Sequence, residues 1–185
     1  LYDPGIAVAF MARWPGRIPP GSTADTLSSN VDVMPTLLDA AWVDCPDRMQ
    51  GTSFLPLLRG EAERHRDAIY AEKTYHEHYD PMRTVRTARY KYIRNFEQRP
   101  RLVMPSDIYN SETRKSMTDD EALWSHRPPE ELYDLEADPH ERHNLAGSPE
   151  HEDTRAALAA RLDQWMRETE DPLLSGPIAR PGSAG

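Results

Sequence analysis

Cysteine is almost missing from this sequence: Cys45 stands alone among 185 residues, which excludes an internal disulfide framework and leaves a free thiol as its ordinary state. Long apolar runs are missing too. No stretch approaches the roughly 20 residues of a membrane span, and none carries the charged and apolar regions of a secretion signal. Positive charge is in short supply, with 22 Lys and Arg against 31 Asp and Glu and a net charge of −9. A phosphate backbone is bound through clustered basic side chains, so general nucleic-acid affinity is excluded and any polyanion needs a local basic site. Hydrophobic residues make up 38% of the chain, whereas proline is plentiful at 17, which together describe a loop-rich globular chain of one domain or slightly more. This balance assigns no compartment.

What is present begins with an apolar run, Ile6-Ala7-Val8-Ala9-Phe10-Met11-Ala12, bracketed by Pro4-Gly5 and Pro15-Gly16. It does not alternate. Such a run suits a strand covered on both faces, as in the parallel sheet of an α/β protein, and its neighbours are expected outside this chain, before Leu1. A helix is expected over about residues 33–42, with Asp32 as its cap, Pro35 in the first turn and Leu37, Leu38 and Ala41 on one face. Asp32 and Asp39 read as a cap and a solvated acid rather than as metal ligands. The segment from Arg59 to Arg66 is charged without an apolar face and reads as a connector.

Beyond it, Ala68-Ile69-Tyr70-Ala71 reads as a strand and Met82 to Phe96 as one or two more. With Leu132 to Leu135 they are expected to form a small antiparallel sheet. At the end of the chain Ser148 suits an N-cap, Pro149 the first helical position, and Glu150, Glu152 and Asp153 the positive end of a helix. Leu158, Leu162, Trp165 and Met166 give that helix one apolar face, which should pack on the sheet. From Ser175 onward the composition is that of a flexible tail. The expected organisation is therefore residues 1–60, residues 61–174 and a tail over 175–185.

Two segments carry chemistry. Residues 83–101 hold Arg83, Arg86, Arg89, Lys91, Arg94, Arg99 and Arg101 against Glu97 alone, a contrast able to steer a sulfated glycan or simply to answer the acidic remainder. Tyr75-His76-Glu77-His78-Tyr79-Asp80 is dense in groups that donate, accept or titrate, but two histidines without further ligands make no metal site. His140-Glu141-Arg142-His143 lacks the spacing of a zinc-protease helix, so its histidines read as structural or solvent-facing.

The ordered run Glu131-Leu132-Tyr133-Asp134-Leu135, Asp138-Pro139-His140-Glu141 and Asn144-Leu145-Ala146 resembles the C-terminal stretch of the sulfatase family. Leu1 to Ile6 followed by Trp14-Pro15-Gly16, the block Asn30 to Ala41, and Gly51 to Leu58 resemble further blocks of that family, in the family's order. His76-Glu77, then Pro81-Met82-Arg83, is similar to the heparan N-sulfatase (sulfamidase) branch. Cys45-Pro46-Asp47-Arg48 has the wrong spacing for the family's nucleophile motif. The resemblance implies an α/β parent of the alkaline-phosphatase superfamily, of which this chain is the end of the large α/β sheet domain plus an α+β subdomain. It implies hydrolysis of sulfate esters or sulfamates of a sulfated sugar, with a formylglycine nucleophile and calcium held by the N-terminal part of the same protein, and no catalytic or metal residue in this chain. By the same analogy His76, Glu77 and Arg83 contact the sugar. Two alternatives stand beside it: a fragment of a phosphodiester or phosphonate monoester hydrolase, and a non-catalytic module for sulfated glycans.

Overall fold

The computed structural model describes residues 1–99, 104–116 and 126–179. Four strands form one antiparallel sheet in the order β1-β2-β3-β4: Ala68–Tyr75 (β1), Tyr79–Thr87 (β2), Tyr90–Asn95 (β3) and Glu130–Asp134 (β4). The helices, in chain order, are α1 (Asp3–Ile6), α2 (Val33–Ala40), α3 (Leu55–Leu58), α4 (Ser106–Tyr109), α5 (Glu112–Ser116) and α6 (Glu152–Glu168).

The register explains why the sheet has two differently built faces. Tyr70, Val85, Tyr92 and Leu132 are successive cross-strand partners, and this row meets Leu158, Leu162 and Met166 of α6 in the main apolar core. Those α6 residues are the stripe expected from their spacing, and Trp165 beside them stacks flat on Tyr70 at 4.9 Å. On the opposite face Met82, Ile93 and Tyr133 pack against Leu1 and Tyr2. That face also carries most of the buried charge.

The signature after β4 has a local structural job. Asn144 Oδ1 accepts from the N–H groups of Leu132 and Ala146, each at 2.9 Å, its Nδ2 donates to the Glu130 carbonyl, and Leu145 N donates to the Leu132 carbonyl at 2.8 Å. The open edge of β4 is thereby covered, which removes a template for pairing with another chain. Asp138 accepts from the N–H groups of Arg142 and His143 and holds the turn between them.

Several expectations are corrected here. Residues 6–12 form no strand: after α1 the segment runs irregularly, with Val8, Phe10 and Met11 exposed, because among the described residues no strand lies beside it to satisfy its backbone. Helix α2 forms within the expected range, but Asp32 does not cap it, and Leu37 is exposed. Asp32 instead closes a preceding 3-10 turn, accepting from Ser29 N at 3.0 Å, and from Thr52 N at 2.9 Å. Gly51 permits that approach, since a Cβ there would lie 1.9 Å from the Val31 carbonyl oxygen. Ser148 likewise makes no capping bond, because a 3-10 turn over Pro149–His151 intervenes before α6.

The segment expected as a tail is tied down as far as Ile178: its carbonyl accepts from Tyr75 Oη at 2.8 Å, its N–H donates to Tyr79 Oη, and its side chain packs against the main core. Residues 180–185 lie outside the described residues.

Candidate functional site

The hairpin joining β1 to β2 carries the candidate site. Pairing slips between Lys73 and Tyr75, and the turn His76-Glu77-His78 projects beyond the sheet. A pocket of about 250 Å³ opens there, lined by Lys73, Tyr75, His76, Glu77 and His78 with Met104 and Pro105. Both histidines are exposed. Glu77 accepts from Ser106 N at 2.9 Å and Ser106 Oγ at 2.8 Å, and these bonds hold its carboxyl below the usual carboxylate range. Tyr75 and Tyr79 meet at a tilt of 45° with ring centroids 5.1 Å apart at the base of the hairpin.

Lys73 is the pocket residue that sequence reasoning passed over. Its ammonium lies 2.6 Å from Asp80 Oδ2, and Arg127 Nη1 lies 2.9 Å from Asp80 Oδ1. Burial pushes the Asp80 carboxyl up, but these two cations outweigh it and hold the group below its ordinary value. Lys73 is thereby held at the pocket wall with its ammonium seated on Asp80. The strand period offered no signal, since the slip in pairing after Lys73 leaves its side chain on Asp80 while Tyr75 turns to the Ile178 carbonyl.

Arg83 is placed differently from the expectation that it meets the sugar. It is buried at 1% exposure and all its donors are spent: Nε and Nη2 on the two Asp171 oxygens, Nη1 on the carbonyls of Lys73 and Met82, and Nη2 also on Thr74 Oγ1. The structure therefore makes it a clamp between β2 and the segment after α6. Its neighbours in the basic segment follow suit. Arg86 pairs with Asp3, Arg89 with Asp134, Lys91 with Asp3 and Glu141, and Arg94 with Asp163, so these four basic side chains are each answered by a carboxylate. Arg101 lies outside the described residues.

Two carboxylates missed as key residues do comparable work. Asp32, with no solvent exposure, binds His65 Nε2 at 3.1 Å and both Nε and Nη2 of Arg66. Burial pushes its carboxyl up, but Arg66 and the N–H groups of Thr52 and Ser29 hold it down at about 2. Glu141, in left-handed backbone at φ 53°, turns inward from the signature loop to Lys91 Nζ at 2.7 Å and Asp3 N at 2.6 Å. Its neighbours His140 and His143 are exposed, as expected.

The acidic residues do not fit a calcium site. Among the described residues the buried acids Asp32, Asp80, Asp134, Glu141 and Asp171 each face Arg or Lys, Glu131 accepts from Tyr2, Tyr133 and Asn95, and no three His, Cys, Asp or Glu side chains converge as metal ligands.

Comparison with known proteins places this geometry. The family model described as N-sulphoglucosamine sulphohydrolase, C-terminal, matches residues 1–120. An ulvan-active sulfatase of Formosa agariphila is 35% identical, over 98% of this chain and 37% of its own length. Human N-sulphoglucosamine sulphohydrolase is 28% identical, over 96% of this chain and 40% of its own. A solved structure in complex with its substrate D-glucosamine-2-N,6-O-disulfate superposes with a TM-score of 0.63 at 27% identity, covering 89% of this chain and 28% of that one. The chain belongs to the sulfatase family and corresponds to its C-terminal region. It spans well under half the length of the curated relatives it matches.

Proposed function

We propose that this chain is the part of a sulfatase that completes the substrate cleft for a sulfated sugar, with the hairpin pocket at His76 and Glu77 as its contribution to substrate binding. The observation that carries this reading is the pocket itself. It combines the Lys73 ammonium seated on Asp80, two exposed imidazoles and an oriented Glu77 carboxylate on one hairpin. A cation and imidazole donors suit sulfuryl oxygens, and a carboxylate suits sugar hydroxyls. Relatives whose names or bound substrates are sulfated sugars support the same class.

Bond cleavage belongs to the rest of such an enzyme: a formylglycine nucleophile and calcium, supplied by the N-terminal part of the same protein, would attack sulfur and offset oxygen charge. This chain's residues would bind and orient the sugar. In the same reading residues 1–60 end the large sheet domain, residues 61–174 form the subdomain, and the exposed apolar segment from Val8 to Met11 meets that larger domain.

The test is a specificity split in a sulfatase containing this chain. His76→Ala and Glu77→Ala should raise KM for glucosamine N-sulfate by about tenfold, the loss of about 1.4 kcal/mol of binding, while leaving turnover of a small aryl sulfate within about twofold. Equal effects on both substrates, or none on either, contradict the reading.

A further inference from the structure

The arginines around Trp14 are arranged unlike those of the sheet. Arg86, Arg89 and Arg94 each sit on a carboxylate, as befits an acidic chain. Arg17 and Arg59 instead place their guanidinium carbons 5.9 Å and 5.8 Å from the Trp14 ring centre, and among the described residues neither has a carboxylate partner. Arg59 Nε is moreover buried without any hydrogen-bond acceptor. Arg13 and Trp14 line an adjoining hollow of about 540 Å³ together with residues 15–16 and 18–22, and Arg17 and Arg59 lie outside its lining.

The hollow is built rather than loose. Arg17 N and Ile18 N both donate to the Trp14 carbonyl, at 3.0 Å and 2.9 Å, and Gly16 at φ 75° and Gly21 at φ 71° turn the chain where other residues would be strained. A guanidinium lying over an aromatic ring keeps its in-plane N–H groups available, and that planar edge matches the paired oxygens of a sulfate group. Unanswered arginines in a chain of net charge −9 leave a local positive site within a repelling surface.

We propose that Arg17 and Arg59, organised by Trp14 and flanked by Arg13, form a second binding site for sulfated polysaccharide, separate from the hairpin pocket. It rests on the reading that the enzyme acts on sulfated sugars, and it adds a place where a neighbouring stretch of the same polymer is held. The hairpin pocket takes one sugar; this site takes sulfates along a chain.

The experiment is titration of the 185-residue chain with a heparin-derived hexasaccharide at low and moderate salt, with a hyaluronan hexasaccharide as the unsulfated probe. The heparin probe should bind and the hyaluronan probe should bind at least about tenfold more weakly. Arg17→Glu, at an exposed position, and Arg17→Ala with Arg59→Gln should each weaken heparin binding by about tenfold or more, and the double variant should lower the salt slope by about two. Arg142→Ala, an exposed arginine on the signature loop, should change it less than about twofold. Unchanged affinity in Arg17→Glu, an equal loss in Arg142→Ala, equal binding of both probes, or no heparin binding at low salt would each overturn the site. The hairpin pocket would still stand or fall on its own KM split.

Discussion

Lys91 has no exposure to solvent and is held between Asp3 and Glu141, residues far from it in sequence. Removing one member of a buried ion pair leaves the other charge desolvated and unanswered, which costs about 3–5 kcal/mol. Lys91→Met should therefore lower the unfolding free energy from urea titration by that amount, and adding Glu141→Gln should recover part of it. A strictly additive double variant would show that the two groups do not interact. Asp32 gives a prediction in pH. Its carboxyl is held at about 2 in the fold against 3.8 in the open chain, so its contribution is fully present above the open-chain value and is lost as pH falls through about 2. Denaturation profiles should show Asp32→Asn flattening the acid limb between about pH 4 and pH 2 while lowering stability at neutral pH. An unchanged acid limb would count against this role.

At the scale of elements, β4 and the signature after it behave as one unit. Asn144→Ala would leave Leu132 N and Ala146 N without their acceptor and uncover the strand edge. The expected cost is about 1–3 kcal/mol, with a shift toward self-association measurable by light scattering. Leu162 sits at the centre of the α6 contact with no exposure, so Leu162→Ala should cost about 2–5 kcal/mol in thermal or chemical unfolding. The strands near Ala68, Tyr90 and Leu132 and the α6 stripe were legible in the sequence because period and residue type repeat locally. Ile6 to Ala12 was legible as apolar and still forms no strand, since pairing depends on neighbours that periodicity does not supply. The charge partners were not legible at all: Arg83 meets Asp171 across 88 residues and Lys91 meets Glu141 across 50. For the same reason the basic side chains from Arg83 to Arg94 looked like a binding face and proved to be paired with carboxylates. His76 and Glu77 could be singled out by their density of polar groups, whereas Lys73 and Asp80 gained meaning only from the hairpin geometry.

For the whole molecule, the two sheet faces divide the work. One packs on α6 and makes the subdomain stable; the other gathers paired charges against the N-terminal residues, where the Asp3 carboxylate meets Arg86 and Lys91 and the Asp3 N–H donates to the Glu141 carboxylate. The hairpin pocket sits at the end of this frame, and its shape depends on both faces holding. Val8, Phe10, Met11, Met34 and Trp42 are exposed apolar side chains, and the proposed reading assigns the segment from Val8 to Met11 to contact with the rest of the enzyme. The central claim is that this chain shapes a sulfatase's substrate cleft without carrying the bond-breaking groups. The most direct measurement is turnover of an aryl sulfate and of glucosamine N-sulfate by the purified chain, supplied with calcium and shown to melt cooperatively. The account predicts no turnover above a heat-treated control; reproducible turnover that scales with the folded chain would contradict it.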